Sequence, residues 1–246
     1  MKKKEFIITG ATSGIGLHLA RELDKVNNKL YLIGRNETVL NELKSSFKAE
    51  VVALAVDLCK SKCSELLSNY TFERIVGFIH CAGLQSNKPL HLLKREDFFI
   101  QFQLGILPLI EILQLILKAK RADTSYVTSV VTLSSIAATD GGATQTAYSA
   151  GKGAINAVIK PLSKELHKFK IRLNALSPGL VDTEMTRNWF RRCPIMNNEK
   201  LDSLQYWGLI DKQAISESIK FLLDDKTKHI AGSNLEIDAG GLKSVL

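Results

Sequence analysis

Tyr148 and Lys152 stand four residues apart in Tyr148-Ser149-Ala150-Gly151-Lys152. They open residues 146–167, which read as a long helix. Side chains four apart on a helix lie one above the other, so phenol and ammonium project together. A free tyrosine titrates near ~10 and is a poor acid or base at neutral pH. A fixed positive charge beside it favours the phenolate and lowers that value. A tyrosine tuned in this way can give a proton to a carbonyl oxygen or take one from an alcohol. The small residues between the two leave room for a ligand. A Tyr-x-x-x-Lys pair also arises by chance, so the rest of the chain has to supply the context.

The elements that would position this pair follow in order. Residues 5–9 read as a short buried strand, followed by Thr9-Gly10-Ala11-Thr12-Ser13-Gly14-Ile15-Gly16 and a helix over 15–26. Glycines there permit a tight turn, and the helix N-terminus offers free N–H groups and a positive dipole end to a phosphate. The spacing G-x-x-x-G-x-G differs from the general dinucleotide fingerprint, and no G-K-S/T of a Walker loop follows. A second strand, 29–33, ends at Gly34-Arg35-Asn36. In dinucleotide folds an acid at this point meets the ribose 2′-OH, and an arginine suits a 2′-phosphate. The acid is absent and Arg35 can pair with a phosphate in a bidentate way, which favours NADP(H) over NAD(H). A third strand, 51–56, ends at Asp57-Leu58, where the carboxylate either caps the next helix or meets an adenine.

A fourth strand, 75–80, runs into Cys81-Ala82-Gly83. The next stretch, 96–119, reads as a helix that is apolar nearly all round in its second half, so it needs cover on more than one side. The sheet supplies one cover and a partner subunit the other; Pro108 should kink or break the helix. A fifth strand, 127–133, ends at Ser134-Ser135, and a sixth, 171–176, at Ser177-Pro178-Gly179. Residues 184–210 carry Trp189, Phe190, Arg191-Arg192 and Trp207 without firm periodicity, and read as a substrate loop or lid. A helix over 212–223 and a short strand over 234–237 close the chain. Strands alternating with helices predict an α/β fold with a doubly wound parallel sheet. Sites in such sheets lie at the carboxyl ends of the strands.

The bulk properties agree. At 246 residues and 45% apolar content the chain suits one α/β domain over 1–246. Its first ten residues do not form a signal peptide. The longest apolar run, 104–117, carries Glu111 and Gln114 and is too short to span a bilayer. Cys59, Cys63, Cys81 and Cys193 show no zinc spacing, so no metal is expected, and reduced thiols point to a cytoplasmic protein. The net charge of +8 is spread along the chain. That argues for a basic surface or an anionic cofactor rather than for nucleic acid.

Taken together, Thr9-Gly10-x-x-x-Gly14-Ile15-Gly16, Asp57-Leu58, Ala82-Gly83, Ser135, Tyr148-x-x-x-Lys152, Asn174-Ala175-x-x-Pro178-Gly179-x-x-x-Thr183 and the closing Asp238-Ala239-Gly240-Gly241 carry a resemblance. The chain resembles the short-chain dehydrogenase/reductase family over nearly its whole length. The resemblance implies a Rossmann-type sheet of about seven strands in the order 3-2-1-4-5-6-7. It implies that Tyr148 is the general acid or base, that Lys152 tunes it and holds the nicotinamide ribose, and that Ser135 hydrogen-bonds the substrate oxygen. NADP(H) would be held by Gly10, Thr12, Ser13, Gly14, Ile15, Gly16, Arg35, Asp57, Leu58, Ala82 and Gly83. On the nicotinamide side it would be held by Tyr148, Lys152, Pro178, Gly179, Val181 and Thr183. The substrate would be a small carbonyl or alcohol, of the ketone or 3-oxoacyl kind. A homodimer or homotetramer would form through the helices near 96–119 and 146–167. The chain departs from the pattern twice. Cys81 stands where the family usually has asparagine, so a polar tie in the sheet is expected to be missing. Gly105 stands at the usual relay asparagine on the long helix, where water or Gln103 could fill in. The alternative to a reductase is therefore a catalytically weak NADP(H)-binding regulator.

Overall fold

A computed structural model describes residues 2–191 and 205–241. Strand β1, Lys4–Thr9, lies inside the sheet between β2, Asn28–Gly34, and β4, Ile75–His80. With β3 (Glu50–Ala55), β5 (Thr128–Leu133), β6 (Ile171–Pro178) and β7 (Asn234–Ile237) the order is β3-β2-β1-β4-β5-β6-β7. Every pairing is parallel. This is the predicted Rossmann-type order. The strand ends are in register: Thr9 faces Ile33 and His80, His80 faces Thr132, and Leu133 faces Leu176. The loops leaving at Gly10, Gly34, Cys81, Ser134 and Gly179 therefore emerge along one edge.

Successive strand residues point to opposite faces, and each face builds its own core. Phe6, Ile8, Leu30 and Leu32 pack with helices α1 (Gly14–Glu22), α2 (Glu37–Ser46) and α8 (Lys212–Leu223). Ile7, Ile33, Phe78 and Val130 pack on the other face with α3 (Cys63–Leu67), α5 (Leu107–Ala122) and α6 (Thr146–Leu166). Parallel strands buried on both faces read as continuous apolar runs, as β2 and β4 do.

Three boundaries differ from expectation. The predicted helix over 96–119 is two helices, α4 (Arg95–Gly105) and α5, broken at Ile106. Pro108 sits in the first turn of α5, where its missing N–H is harmless, and its ring excludes a continuous ladder back to residue 104. Helix α1 stops at Glu22 rather than residue 26, and the Asn28 amide caps the turn by donating to Leu23 O at 2.8 Å. A helix, α7 (Glu184–Arg191), opens the segment read as irregular. The joined stretch Arg95–Ala122 holds an 18-residue window of mean hydropathy 1.8, apolar enough by length and composition to cross a membrane. Leu109, Ile112, Leu113 and Ile116 within it are buried in the protein's own core.

Candidate active site

The glycine loop between β1 and α1 is shaped by close backbone approach. Gly10 has φ +67°, and a Cβ there would lie 3.0 Å from the backbone of Cys81 and Ala82. A Cβ on Gly16 would overlap the Gly10 carbonyl. Gly14, at φ +52°, has only Thr183 Cγ2 near the place of a Cβ, at 3.8 Å, which brings the glycine loop up to the loop after β6. Ser13 is the N-cap of α1 but makes no side-chain cap bond, and no acid occupies the first turn. The helix N-terminus thus keeps N–H groups and dipole for an anion, and the loop fits a pyrophosphate. Thr12 and Ile15 flank it.

Thr12 also decides the next position. A Cβ on Gly34 would lie 2.5 Å from Thr12 Cγ2, so an acid at the end of β2 is excluded by packing. Arg35 beside it is exposed, and Asn36 caps α2 by accepting from Val39 N at 3.1 Å. Asp57 Oδ1 accepts from Cys59 N at 3.0 Å and turns the chain. It does not cap α3, whose first N–H, on Cys63, goes to Glu111 Oε2 at 2.7 Å. Leu58 is buried beneath.

The reacting end lies beyond β5. Ser135 caps a short 3-10 turn, Ile136–Ala138, by accepting from Ala137 N at 3.2 Å. Its hydroxyl stands near the Tyr148 phenol. Helix α6 brings Lys152 beneath that phenol, with Nζ 5.8 Å from the ring centroid. The ammonium donates to Leu133 O at 2.8 Å, and Ser134 Oγ donates to Lys152 O at 3.1 Å. Gly83 has no side chain to block this pocket; a Cβ there would lie 3.4 Å from Lys152 Nζ. Ser135, Tyr148, Lys152, Ala82 and Gly83 are therefore brought together as expected.

The electrostatics are not as expected. Burial pushes the Tyr148 phenol up, and the nearby Ser135 hydroxyl only partly offsets this. The predicted lowering by Lys152 is absent, because the ammonium is directed at Leu133 O. Burial pulls Lys152 itself down to about 8. Cys81 is half-buried beside Gly16, and desolvation pushes its thiol up to about 12. The polar tie it was expected to leave missing is made by Thr9. Its Oγ1 pairs with His80 Nδ1 at 2.8 Å and accepts from Ala82 N at 3.2 Å. His80 is fully buried and held near 4. Its Nε2 faces the Leu104 and Gly105 backbone without a hydrogen bond of normal geometry.

After β6, Pro178 and Gly179 lead into a loop pinned by a residue that no motif marks. Gln205 Oε1 accepts from Leu180 N at 2.7 Å, and Nε2 donates to Leu180 O at 3.0 Å and Gly208 O at 2.8 Å. A Cβ on Gly179 would overlap Gln205 Oε1, which makes glycine obligatory there. Val181 bridges to Ile210. Thr183 Oγ1 meets Thr186 Oγ1 at 3.1 Å at the start of α7. Phe190 of α7 packs with Leu180 and Leu209, and Trp189 meets its ring edge-on at 4.7 Å. The Trp189 indole nitrogen faces the Asn87 amide. Trp207 is 86% exposed. Arg192 and Cys193 lie outside the described residues. Among the described residues no cluster of His, Cys, Asp and Glu could hold a metal.

Comparison with known proteins agrees with this geometry. A family model described as short chain dehydrogenase matches residues 4–194. The 3-oxoacyl-(acyl-carrier-protein) reductase FabG of Rickettsia prowazekii is 28% identical over 252 residues, covering 97% of each chain. The structure of L-sorbose reductase from Gluconobacter frateurii complexed with NADPH and L-sorbose has a TM-score of 0.85 at 22% identity, covering 100% of this chain and 98% of that one. That of 4-hydroxyisoleucine dehydrogenase complexed with NADH has a TM-score of 0.80 at 25% identity, covering 97% and 98%. With its parallel sheet, glycine loop and Tyr-x-x-x-Lys helix, the chain belongs to the short chain dehydrogenase family of nicotinamide-dependent oxidoreductases.

Proposed function

We propose that the protein is an NADPH-dependent reductase that converts a carbonyl to an alcohol, with Tyr148 as the general acid. The observation that carries this reading is the Tyr148 phenol gathered with the Ser135 hydroxyl and the buried Lys152, at the carboxyl edge of the sheet. Bound NADPH supplies the hydride. Ser135 hydrogen-bonds the substrate oxygen and orients the carbonyl. Tyr148 transfers its proton to that oxygen as the carbon is reduced, which yields the neutral alcohol. Once Lys152 turns from Leu133 O toward the phenol and the nicotinamide ribose, its charge stabilises the phenolate left behind. The glycine loop, Asp57, Leu58, Ala82 and Gly83 hold the adenosine and phosphates; Pro178, Gly179, Val181 and Thr183 hold the nicotinamide.

Gly34 and the exposed Arg35 support NADPH over NADH: one side chain is excluded by Thr12 and the other can meet a 2′-phosphate. The FabG relative and the sorbose reductase neighbour support a ketone or 3-oxoacyl substrate. Helix α7 and residues 205–210 are the described ends of a substrate lid on one NAD(P)-binding domain, and residues 192–204 of that lid lie outside the described residues. Exposed Phe99, Phe102 and Leu107 on α4 and α5 support a homodimer or homotetramer, and free thiols suit a reducing cytoplasm.

The test is a parallel fluorescence titration with NADPH and NADH, followed by a panel of ketones and 3-oxoacyl thioesters. Tighter NADPH binding, turnover, and loss of that turnover by at least about a hundredfold in Tyr148→Phe with NADPH binding kept are expected. Full turnover in Tyr148→Phe sinks the reading. A second reading, an NADP(H)-binding regulator, is favoured by Gly105 and by the raised phenol. NADPH binding with no turnover across the panel would select it.

A further inference from the structure

Helix α6 runs from the carboxyl edge of the sheet, at Tyr148, to the opposite edge, where β6 begins at Ile171. Near that far end Lys160, Ser163, Lys164 and His167 follow at i, i+3, i+4 and i+7, so they share one face. With Ala231 they line a hollow of about 310 Å³, and no acidic residue lines it. The wall opposite the helix is braced. Asn174 Nδ2 donates to Ile230 O at 2.9 Å, and Asn174 Oδ1 accepts from Ser233 N at 3.0 Å. Gly232 N donates to Leu173 O at 2.8 Å. Gly232, at φ +69°, lets this turn close on the helix: a Cβ there would lie 3.0 Å from Lys160 Cδ and 3.1 Å from Ser163 Oγ. Ser163 lies about 16 Å along α6 from Lys152, at ~1.5 Å per residue, so the hollow is separate from the reacting end.

Lysines near the end of a helix offset its negative pole and need no ligand. Two observations ask for more. Lys88 and Lys220 are paired with Asp97 and Glu22, whereas Lys160 and Lys164 make no ion pair among the described residues. Ser163 is 7% exposed, and its hydroxyl has no hydrogen-bond partner among the described residues. Ser218 on α8 satisfies its hydroxyl by donating to Ala214 O at 2.9 Å; Ser163 makes no such bond one turn back. A hydroxyl so deep is costly unless something entering the hollow completes it. We propose that this hollow is an anion site that takes a phosphate group, free or as a small phosphate ester. The Ser163 hydroxyl donates to one phosphate oxygen at the floor, and the two ammonium groups donate to the others from the rim. His167 joins through Nε2 when its ring is charged, because its Nδ1 already donates to Lys164 O at 2.6 Å. That bond also occupies one of the last helix carbonyls, which would otherwise repel an anion. The recessed hydroxyl favours a small group over an acidic protein surface, which meets the lysines at the rim alone.

The proposal is independent of the reductase reading, and its test uses the full chain without cofactor. The chain is labelled with histidine carrying carbon-13 at Cε1, and the His167 resonance is identified by its loss in His167→Gln. Inorganic phosphate and glycerol phosphate are titrated in turn, against chloride at equal ionic strength and fixed pH. A saturable His167 shift is expected with both phosphates and not with chloride. Ser163→Ala is expected to weaken phosphate binding at least about fivefold, and Lys160→Gln with Lys164→Gln at least about tenfold, from the loss of one neutral and two charged donors. Tighter binding of glycerol phosphate than of inorganic phosphate assigns an ester, and equal affinities assign free phosphate. A shift that chloride reproduces, or phosphate affinity unchanged in both variants, overturns the proposal. Phosphate that moves His18, on α1, but leaves His167 still is bound at the glycine loop, and that outcome overturns it too. Should Ser163→Ala fail to fold in thermal melts, the double lysine variant decides alone, since both lysines are exposed.

Discussion

Lys152 is the residue that the fold keeps at a cost. Its folded value of about 8 lies below the ordinary 10.5, so folding disfavours the charged ammonium. The penalty is full below about pH 8 and fades as pH climbs to 10.5, because only in that interval does the unfolded chain bind the extra proton. Lys152→Met is expected to raise stability at pH 7 by up to roughly 3 kcal/mol, from a displacement of about 2.5 units at ~1.4 kcal/mol each. Denaturant melts at pH 7 should show the gain, assays should show turnover lost, and a variant less stable than wild type would refute the argument. The Tyr148–Lys152 spacing was legible because helical geometry is local. The direction of the phenol's displacement was not, because burial is a property of the packed site. Gln205 was invisible for another reason: a glutamine carries no motif, and its role appears only when a distant backbone is placed against it.

At the level of elements, strands and their carboxyl-end loops could be read from apolar runs and glycine punctuation. The break between α4 and α5 was announced by Pro108. Helix α7 was not legible: its buried side is little more than Thr186 and Phe190, and the Asp182–Arg187 and Glu184–Arg191 ion pairs fill its polar side. What holds the start of α7 in place is the Gln205 clamp on Leu180. Replacing Gln205 with leucine leaves the Leu180 N–H without a partner and removes both amide donations. Gln205→Leu is expected to lower stability by about 2–3 kcal/mol and to weaken NADPH binding severalfold, since the loop from Gly179 to Thr183 loses its brace. Thermal melts and cofactor titrations check both; an unchanged cofactor affinity would detach Gln205 from the site.

Across the whole molecule, the two cores meet at the sheet, and His80 sits in that sheet where β1, β4 and the end of α4 converge. Its folded value near 4 lies below the usual 6.5 because burial and the Lys152 charge both oppose protonation. Its contribution is therefore fully present above pH 6.5 and is lost as pH falls toward 4. Stability should decline by about 3 kcal/mol over that interval, and His80→Gln should flatten the decline. Urea melts at half-unit steps check this, and an equally steep decline in the variant would assign the loss elsewhere. The strand order has a further consequence, for the time course of folding. Residues 4–80 alone supply β3, β2, β1 and β4 with the whole glycine loop, whereas Ser135, Tyr148 and the Gln205 clamp come from later chain. On a ribosome the nucleotide cradle can close while the reacting residues are still unmade. Both tryptophans, Trp189 and Trp207, belong to the late part. During refolding, backbone circular dichroism should recover before tryptophan fluorescence, and simultaneous recovery would show that the two halves of the sheet form as one.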